Sequence, residues 1–358
     1  MNYILVINPG STSTKIAIFQ EEVMHLETSM EHTREELITH SSPEEQAQLR
    51  RDALLTWIQE IGFESTRFSA IAARGGVIGQ LRSGAYRIDQ ALKEASLHST
   101  TPHASNLAAV IAFDLAQQWR IPAYIYDAVC GMGEPDPIYT YSGLKELPRP
   151  FLTHVLNTRA VGFHHAHVQG ENLFQKTYIV THLGGGITTN LLFHGEILDF
   201  VGDDEGTFSP ERSGGLPARS LVKLAFSGKY TQKQLQTKLK GQGGLVDYFA
   251  TNDFRIIEQK AFSELNQKAQ EVIAAMALQI AKDIGSMAAV AEGKIDAVLL
   301  TGGLAHSAKL CQWIEKRVRF IAPVYRYPGS FEMEALAEGV LRVLRGEETA
   351  HPYADKIE

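Results

Sequence analysis

Two glycine-rich turns carry hydroxyl and cationic side chains that could hold phosphate. They lie in YILVINPGSTSTKIAIF (3–19) and in YIVTHLGGGITTNLLF (178–193). Apolar, β-rich segments flank each turn, which predicts a β-hairpin with a buried strand. Successive N–H groups in a turn that lacks Cβ atoms form a concave anion site, and Lys15 adds a compact ammonium. An ordinary Gly-Ser turn is the better explanation of either copy alone, but two copies favour phosphate binding.

The two segments align without a gap when Tyr3 is set against Tyr178. A repeat at about half the chain length predicts two similarly built halves that face each other across a cleft. The alignment pairs Gly10 with Gly185, Ser13 with Thr188 and Lys15 with Asn190.

A third glycine pair, Gly302 and Gly303, follows the apolar strand predicted at Asp296–Thr301. A glycine pair that opens a helix suits the ribose or α-phosphate of a nucleotide, although a plain strand-to-helix turn explains it nearly as well. The chain contains neither a P-loop nor a G-x-G-x-x-G fingerprint, so a different phosphate-binding architecture is expected.

Three charged residues occupy positions where a packing role is small. Arg74 lies in AARGGVIG and Arg212 in FSPERSGGLP. A guanidinium presents a planar fork of donors that suits phosphoryl or carboxylate oxygens, although a surface ion pair explains either arginine alone equally well. Asp127 ends an apolar strand in YIYDAVCG. Sheets of α/β proteins place functional carboxylates there, and a turn or helix cap is the competing explanation.

Composition limits the classes of function. The 358 residues carry a net charge of −7, which argues against a nucleic-acid footprint or an acidic-membrane surface. Cys130 and Cys311 are the only cysteines, so no disulfide framework is expected. The N-terminus lacks a basic leader and no apolar run approaches about 18 residues, so we expect a cytoplasmic protein without a membrane span. The cluster of His164, His165 and His167 lacks a spaced fourth ligand, which disfavours a metal site.

Helical and strand patterns alternate along the chain, as in an α/β fold. We predict helices at 44–62, 103–119, 266–292 and 332–344, and strands at 69–73 and 123–129.

Together these residues resemble the butyrate kinase family, within the superfamily of acetate and sugar kinases, heat-shock chaperones and actin. The likeness covers nearly the whole chain, through INPGSTSTKIAIF, ARGG, PHASNLAA, HLGGGIT, FSPERSGGLP, SGKYT, GGLVDYFATNDFR, LTGGLAHS, RVRFIAPV and EMEALAEGVLRVLRG. The resemblance implies an α/β, two-domain actin-like ATPase fold, built from duplicated ribonuclease H-like domains with a cleft between them. Residues 1–160, completed by helix 332–346, would form the acyl-substrate and phosphate domain, and 161–331 the nucleotide-binding and dimerisation domain.

The resemblance also implies an activity: a phosphotransferase that uses ATP and Mg²⁺ to convert a short aliphatic carboxylate reversibly into an acyl phosphate. Such an enzyme would be a homodimer or larger, with the carboxylate and ATP or ADP as its small-molecule partners. Two alternatives stay open: a hydroxyl kinase of the sugar-kinase type, and a nucleotide-binding sensor of low activity.

Roles for individual residues follow from the same resemblance. Arg74 and Arg212 would clamp the substrate carboxylate and the phosphoryl group, and His182 would donate to the phosphoryl oxygens in the transition state. His103 would lie near the acyl substrate, and Asp127 and Glu334 would orient Mg²⁺ through water. The phosphate and ATP residues would be Asn8, Ser11, Ser13, Lys15, Gly184, Gly185, Gly186, Asp253, Phe254, Arg255, Gly302 and Gly303. The chain departs from the family pattern at AVCGMGE after Asp127 and at FVGDDEGTF, loops that hold Glu134 and Asp203–Glu205.

Overall fold

The computed structural model describes residues 1–101 and 103–355, which form two compact units. Unit 1 contains residues 1–156 and the C-terminal segment from residue 331, and unit 2 contains residues 157–330. Each unit buries its own hydrophobic cluster, so each has a core of its own.

Unit 1 begins with three consecutive strands and continues with alternating helices and strands. Its first long helix, Pro43–Glu60, starts with proline at the first helical position and a reciprocal capping box between Ser42 and Glu45. In chain order the elements are β1 (Tyr3–Pro9), β2 (Ser13–Gln20), β3 (Val23–Glu31), α1 (Arg34–Thr39), α2 (Pro43–Glu60), β4 (Phe68–Arg74), β5 (Ala85–Arg87), α3 (Gln90–Leu97), α4 (Asn106–Trp119) and β6 (Ala123–Tyr126).

Unit 2 repeats the three-strand start after one helix. Its elements are α5 (Val155–Gln169), β7 (Thr177–Leu183), β8 (Ile187–Phe193), β9 (Glu196–Val201), α6 (Ala218–Ala225), α7 (Gln232–Leu239), α8 (Leu245–Phe249), α9 (Phe254–Phe262), α10 (Gln267–Val290), β10 (Ala297–Gly302), α11 (Ala308–Val318) and β11 (Val324–Pro328). The chain then returns to unit 1 as α12 (Glu332–Leu344), with the bounds predicted from the sequence.

The two sheets share one topology. Unit 1 has the order β3-β2-β1-β4-β6-β5, and unit 2 has β9-β8-β7-β10-β11. In both, the first three strands pair antiparallel and the next two pair parallel. Unit 1 adds the short antiparallel edge strand β5. The predicted duplication is therefore confirmed at the level of strand order and direction.

The two predicted hairpins form, but their pairing registers differ. The first turn spans residues 10–13 and pairs Asn8 with Lys15, whereas the second spans residues 184–186 and pairs Val180 with Asn190. Turn length sets the register of a hairpin, and a shift by an odd number of residues exchanges the faces of the strand. Lys15 is exposed and Asn190 is fully buried. The gapless equivalence is therefore wrong beyond the turn, for Ser13 with Thr188 and for Lys15 with Asn190.

Two predicted element boundaries near the site also change. Helix α4 begins at Asn106 and not at His103, because residues 103–106 form a turn in which the Asn106 amide donates to the His103 carbonyl at 2.9 Å. Strand β6 ends at Tyr126 and not at residue 129, because Asp127 adopts a left-handed backbone with φ of 42°.

Helix α10 is the one helix of the described residues that is long and apolar enough to cross a membrane by length and composition. Its apolar face, which includes Ile273, Met276, Ile280 and Ile284, is buried in the core of unit 2. Core packing therefore accounts for its composition.

Gly302 provides a test of how the nucleotide-side turn is built. Its φ is 92°, and a Cβ there would lie 2.5 Å from the Leu183 carbonyl oxygen. Gly302→Ala should lower the free energy of unfolding by roughly 1–3 kcal/mol, because the new side chain meets both a strained backbone and a clash. Urea unfolding measures the change. The matched control is Gly303→Ala, where the added Cβ meets no atom within 4 Å; equal stability of the two variants would contradict this account.

Candidate active site

Parallel pairing in unit 1 gathers polar side chains at one edge of the sheet. Strand β4 pairs in parallel with both β1 and β6, so the three strands end at the same edge. Asn8 lies near the end of β1, Arg74 ends β4, and Asp127 follows β6. Asn8 and Asp127 are buried, and Arg74 is partly buried. Three of the predicted site residues are thus brought to this edge by strand order alone.

Arg74, Asn8 and Glu332 form a hydrogen-bonded cluster at this edge. The Arg74 Nη1 atom donates to Glu332 Oε2 at 2.9 Å and to Asn8 Oδ1 at 3.2 Å. The Asn8 amide donates to the same Glu332 oxygen at 2.9 Å. The Nε atom of Arg74 is buried and has no hydrogen-bond partner among the described residues. Because buried donors are nearly always paired, this nitrogen is a candidate for a ligand oxygen.

The acidic residue in this cluster is Glu332, whereas the sequence interpretation selected Glu334. Both lie in the first turn of α12, and the contact with Arg74 is made by the earlier one. Within the part of the chain that the structure describes, the side chain of Glu334 makes no ion pair or hydrogen bond. The acidic first turn was visible in the sequence, but the direction of each side chain depends on how α12 packs against β1 and β4.

Asp127 holds the start of the loop after β6. Its Oδ1 accepts from the Gly84 amide at 2.8 Å, and its own amide donates to the Gly84 carbonyl at 3.1 Å. His103 is exposed before α4, where its Nδ1 accepts from the Ser105 amide at 3.2 Å. At the first turn, Ser11 and Lys15 are exposed and Ser13 is half-buried.

His182 stands beside the second glycine turn, in unit 2. The Asn157 side-chain amide donates to His182 Nδ1 at 2.8 Å, so the neutral ring carries its proton on Nε2. A Cβ on Gly184 would lie 2.6 Å from that Nε2 atom. Glycine therefore makes room for a histidine that presents an N–H donor at the turn. Asn157 was not selected from the sequence, because it lies 25 positions before His182 and no motif joins the two residues.

Arg212 lies against the same turn. A Cβ on Gly186 would approach its guanidinium carbon at 3.2 Å and the Asp203 Oδ2 atom at 3.1 Å. Arg212 pairs through Nη1 with Asp203, a residue of the loop that departs from the family pattern. Its Nε is buried and lacks a partner among the described residues. Desolvation lowers the pKa of the Arg212 guanidinium below its usual range.

Further contacts hold this turn in unit 2. Ser209 donates through Oγ to the Gly185 carbonyl at 2.6 Å, and the Glu211 amide donates to the same carbonyl at 3.2 Å. Lys240 makes a backbone bridge with Arg212. Desolvation, together with the nearby Arg212 charge, lowers the pKa of Lys240. Ser209 and Lys240 were not selected from the sequence, since hydroxyls and lysines are too common to carry a signal.

The residues predicted for the adenosine have structural roles of their own. Asp253 caps α9 and pairs with Arg255 Nη2 at 2.7 Å, while Phe254 is buried. Gly302 ends β10 against the Leu183 backbone, and the exposed Gly303 begins a single 3₁₀ turn before α11.

Comparisons with known proteins agree with these arrangements. A family model described as the acetokinase family matches residues 154–319. Butyrate kinase 1 of Clostridium acetobutylicum is 40% identical over 356 residues, covering 99% of this chain and 100% of that protein. Butyrate kinase 2 of the same organism is 41% identical over 353 residues, covering 98% and 99%. The chain belongs to the acetokinase family. The resemblance to butyrate kinases inferred from the motifs is confirmed.

Solved structures of an acetate kinase and a propionate kinase show the same fold. An acetate kinase from Porphyromonas gingivalis has a TM-score of 0.78 at 16% identity, covering 96% of this chain and 100% of that chain. A propionate kinase from Francisella tularensis has a TM-score of 0.73 at 18% identity, covering 95% and 99%. The predicted α/β, actin-like ATPase fold class is confirmed by this likeness.

Asp283 of α10 supports the loop that carries Arg212, and its buried carboxyl makes the stability of this protein depend on pH. Its Oδ2 accepts from the Thr207 amide at 2.8 Å, and burial raises its pKa from 3.8 to about 6. The native state therefore binds the proton more tightly than the unfolded state, so stability falls as pH rises from 4 to 6. This pKa shift corresponds to a loss of about 3 kcal/mol in the free energy of unfolding as the pH rises through this range.

Asp283→Asn should remove this loss of stability at higher pH. The amide oxygen of asparagine can still accept from the Thr207 amide, but it carries no charge. We expect the urea midpoint of the variant to equal that of the wild type near pH 4 and to exceed it at pH 7.5. Asp204→Asn, at an exposed position of the same loop, is the control and should leave the pH dependence intact. A variant midpoint below that of the wild type at pH 7.5 would refute the assignment.

Proposed function

We propose that this protein transfers the γ-phosphoryl group of ATP to the carboxylate of a short-chain aliphatic acid, such as butyrate or isobutyrate, in a direct and reversible in-line step. The products are ADP and an acyl phosphate. The observation that carries the proposal is the full-length likeness, at 40–41% identity, to proteins named butyrate kinase. Arg74 in unit 1 and Arg212 in unit 2 agree with this chemistry, because each has a buried Nε without a partner among the described residues.

The acceptor needs no general base. An aliphatic carboxylic acid is already ionised at neutral pH, so its oxygen attacks the γ-phosphorus while the bond to the β,γ-bridging oxygen breaks. Catalysis then consists of alignment and neutralisation of the charge on the phosphoryl oxygens. Donors and cations, and not proton acceptors, are what the site has to supply.

Two arginines have donors to spare for this purpose. Arg74 and Arg212 each leave a buried Nε without a partner among the described residues. We assign Arg74 to the carboxylate of the acid. Its contacts with Asn8 and Glu332 are both made by Nη1, and its Nε has no partner among the described residues. Arg212 neutralises oxygens of the phosphoryl group, and His182 adds the Nε2 donor that the Asn157 contact orients.

The remaining predicted residues bind the substrates. Lys15, Asn8 and the hydroxyls of Ser11 and Ser13 surround phosphoryl oxygens, and His103 borders the acyl group. The ATP residues are Gly184, Gly185 and Gly186 at the second turn, Gly302 and Gly303 at the end of β10, and Asp253, Phe254 and Arg255 at the start of α9.

The carboxylates of unit 1 fit a hydrated Mg²⁺. Among the described residues no three His, Cys, Asp or Glu side chains converge as a metal cage. A sparse carboxylate set suits Mg²⁺, because this ion keeps its waters and binds chiefly through substrate phosphates. Asp127 and Glu332 are the residues we assign to its water shell, with Glu334 as the alternative inferred from the family resemblance. When bound, Mg²⁺ neutralises charge on the ATP phosphates.

We also place the protein in the cytoplasm as a homodimer or larger assembly, with unit 2 as the nucleotide-binding and dimerisation domain. The absence of a disulfide framework and the net charge of −7 support the first statement. Exposed apolar side chains on unit 2, including Leu216, Val222 and Phe226, support the second.

Trapping of acyl phosphate with hydroxylamine tests the activity directly. Purified protein with Mg-ATP and a panel of acids of two to five carbons should give hydroxamate, and butyrate or isobutyrate should be among the best substrates. Arg212→Ala should lower turnover at least about 10²-fold, since it removes a donor to the transferred group. Arg319→Ala, an exposed arginine of α11's C-terminus, is the matched control. ATP consumption with alcohols but not acids would favour a hydroxyl kinase, and ATP binding without turnover would favour a sensor.

The choice between Glu332 and Glu334 has its own experiment. Glu332→Gln should lower kcat by roughly 10²-fold and raise the Mg²⁺ concentration needed for half-maximal rate, because the charge beside Arg74 and the metal waters is lost. Glu334→Gln, two positions along the same helix turn, should stay near the wild-type rate. The reverse ranking would return the metal role to Glu334. Thermal midpoints of both variants report whether either loss reflects unfolding.

A further inference from the structure

Arg50 is a buried cation that has no carboxylate partner among the described residues. Its side chain belongs to the buried face of α2, with Ala47, Leu54 and Ile58, and the residue is only 1% exposed. No ion pair reaches it within the described residues, and its Nε has no hydrogen-bond partner there. An unpaired charge in a protein interior is costly. An apolar side chain would suit this helix face better unless the guanidinium has a task.

The guanidinium points its donors at the first glycine-rich turn. Its Nη1 donates to the Ser13 carbonyl at 2.9 Å and to the Thr14 hydroxyl at 2.7 Å. Its Nη2 donates to the Ser11 carbonyl at 3.3 Å. One side chain therefore holds three acceptors from four consecutive residues.

His32 also makes hydrogen bonds to the turn and to Thr14 beside it. Its backbone amide donates to the Thr12 carbonyl at 2.8 Å, and its Nε2 lies 2.9 Å from the Thr14 hydroxyl. The Thr14 hydroxyl oxygen accepts from Arg50, and its proton can go to His32 Nε2 when the ring is neutral and carries its proton on Nδ1. Burial and the Arg50 charge lower the pKa of His32, in agreement with this direction.

These contacts engage three carbonyls of the turn and leave the amides of Ser11 and Thr12 without a partner among the described residues. The carbonyls of Ser11, Thr12 and Ser13 are all engaged, the last also by the Gly10 amide at 2.7 Å. Within the described part of the chain, the amides of Ser11 and Thr12 have no hydrogen-bond partner. A turn whose carbonyls are largely engaged and that keeps two adjacent amides available can bind an anion.

We propose that Arg50 is a positioning residue that, with Thr14 and His32, holds the turn at residues 10–13 in the conformation whose amides bind the transferred phosphoryl group. It also adds a cation behind the turn, in a region of low dielectric where charge acts strongly. The inference rests on the proposed function for the identity of the anion. The geometry of the turn supports it independently.

The test compares three variants of α2 in the hydroxamate assay. Arg50→Met removes the charge and the donors at similar volume, and should lower kcat by roughly 10²-fold while leaving KM for the acid, which Arg74 holds, within about threefold. Arg50→Lys keeps the charge but only part of the fork, so kcat should fall by about 10-fold. Arg51→Met, at the neighbouring half-exposed position paired with Asp114, should stay within about twofold.

Hydrogen exchange of the peptide that spans the turn separates this proposal from the activity itself. In the wild type, Mg-ATP should slow exchange of the turn amides, and Arg50→Met should abolish that protection. If no acid yields hydroxamate with wild-type protein, the proposed function fails while the exchange experiment still decides the role of Arg50. Wild-type kcat in folded Arg50→Met, or equal Mg-ATP protection, would overturn the proposal.

Thr14→Val and His32→Gln cover the case in which Arg50→Met does not fold. Each variant removes one of the side-chain hydrogen-bond partners that hold the turn, and it should lower kcat by several-fold with little change in KM for the acid. Unchanged kcat in both folded variants would also overturn the proposal. The thermal midpoint, recorded for every variant, identifies losses that are due to unfolding.

Discussion

The candidate site of unit 1 depends on the parallel pairing of β4 with β1 and β6. Parallel strands end at the same edge of the sheet, so residues that are far apart in the chain are brought together by the strands themselves and not by long loops. In unit 2 the same pairing of β10 with β7 and β11 brings Gly302 against Leu183 at the base of the second turn. Each unit thereby places one glycine-rich hairpin turn beside the ends of its parallel strands.

Desolvated arginines are the second common feature. Arg50, Arg74 and Arg212 each keep a buried Nε without a partner among the described residues, and each lies at a turn or strand end proposed to bind anions. Buried donors of this kind carry an energetic cost in the free protein that an anionic ligand relieves. A chain of net charge −7 thus concentrates cationic donors locally. In unit 2, Asp203 partly neutralises this positive charge by pairing with Arg212. Asp203 lies in a loop that differs from the family pattern.

Much of the fold followed from local sequence. The apolar runs flanking each glycine turn predicted both hairpins, and the helical periodicity of 332–344 predicted α12 to the residue. Failures arose where a boundary depends on one backbone angle, as at Asp127, or on turn length, as in the register that separates Lys15 from Asn190. The hydrophobic pattern reports neither quantity, because buried or apolar residues continue on both sides of Asp127 and of Asn190.

By itself, the sequence determined the family, the fold class and the polar residues that stand beside glycine, because these are written in contiguous motifs. Tertiary structure decided which of these residues touch. The contact of Arg74 with Glu332 spans 258 positions, and that of Asn8 with Glu332 spans 324. Arg50 reads in sequence as one more charge on a helix, and only the packing of α2 beneath the first turn gives it three acceptors. Contacts over such separations depend on side-chain direction and strand order, which local spacing does not encode.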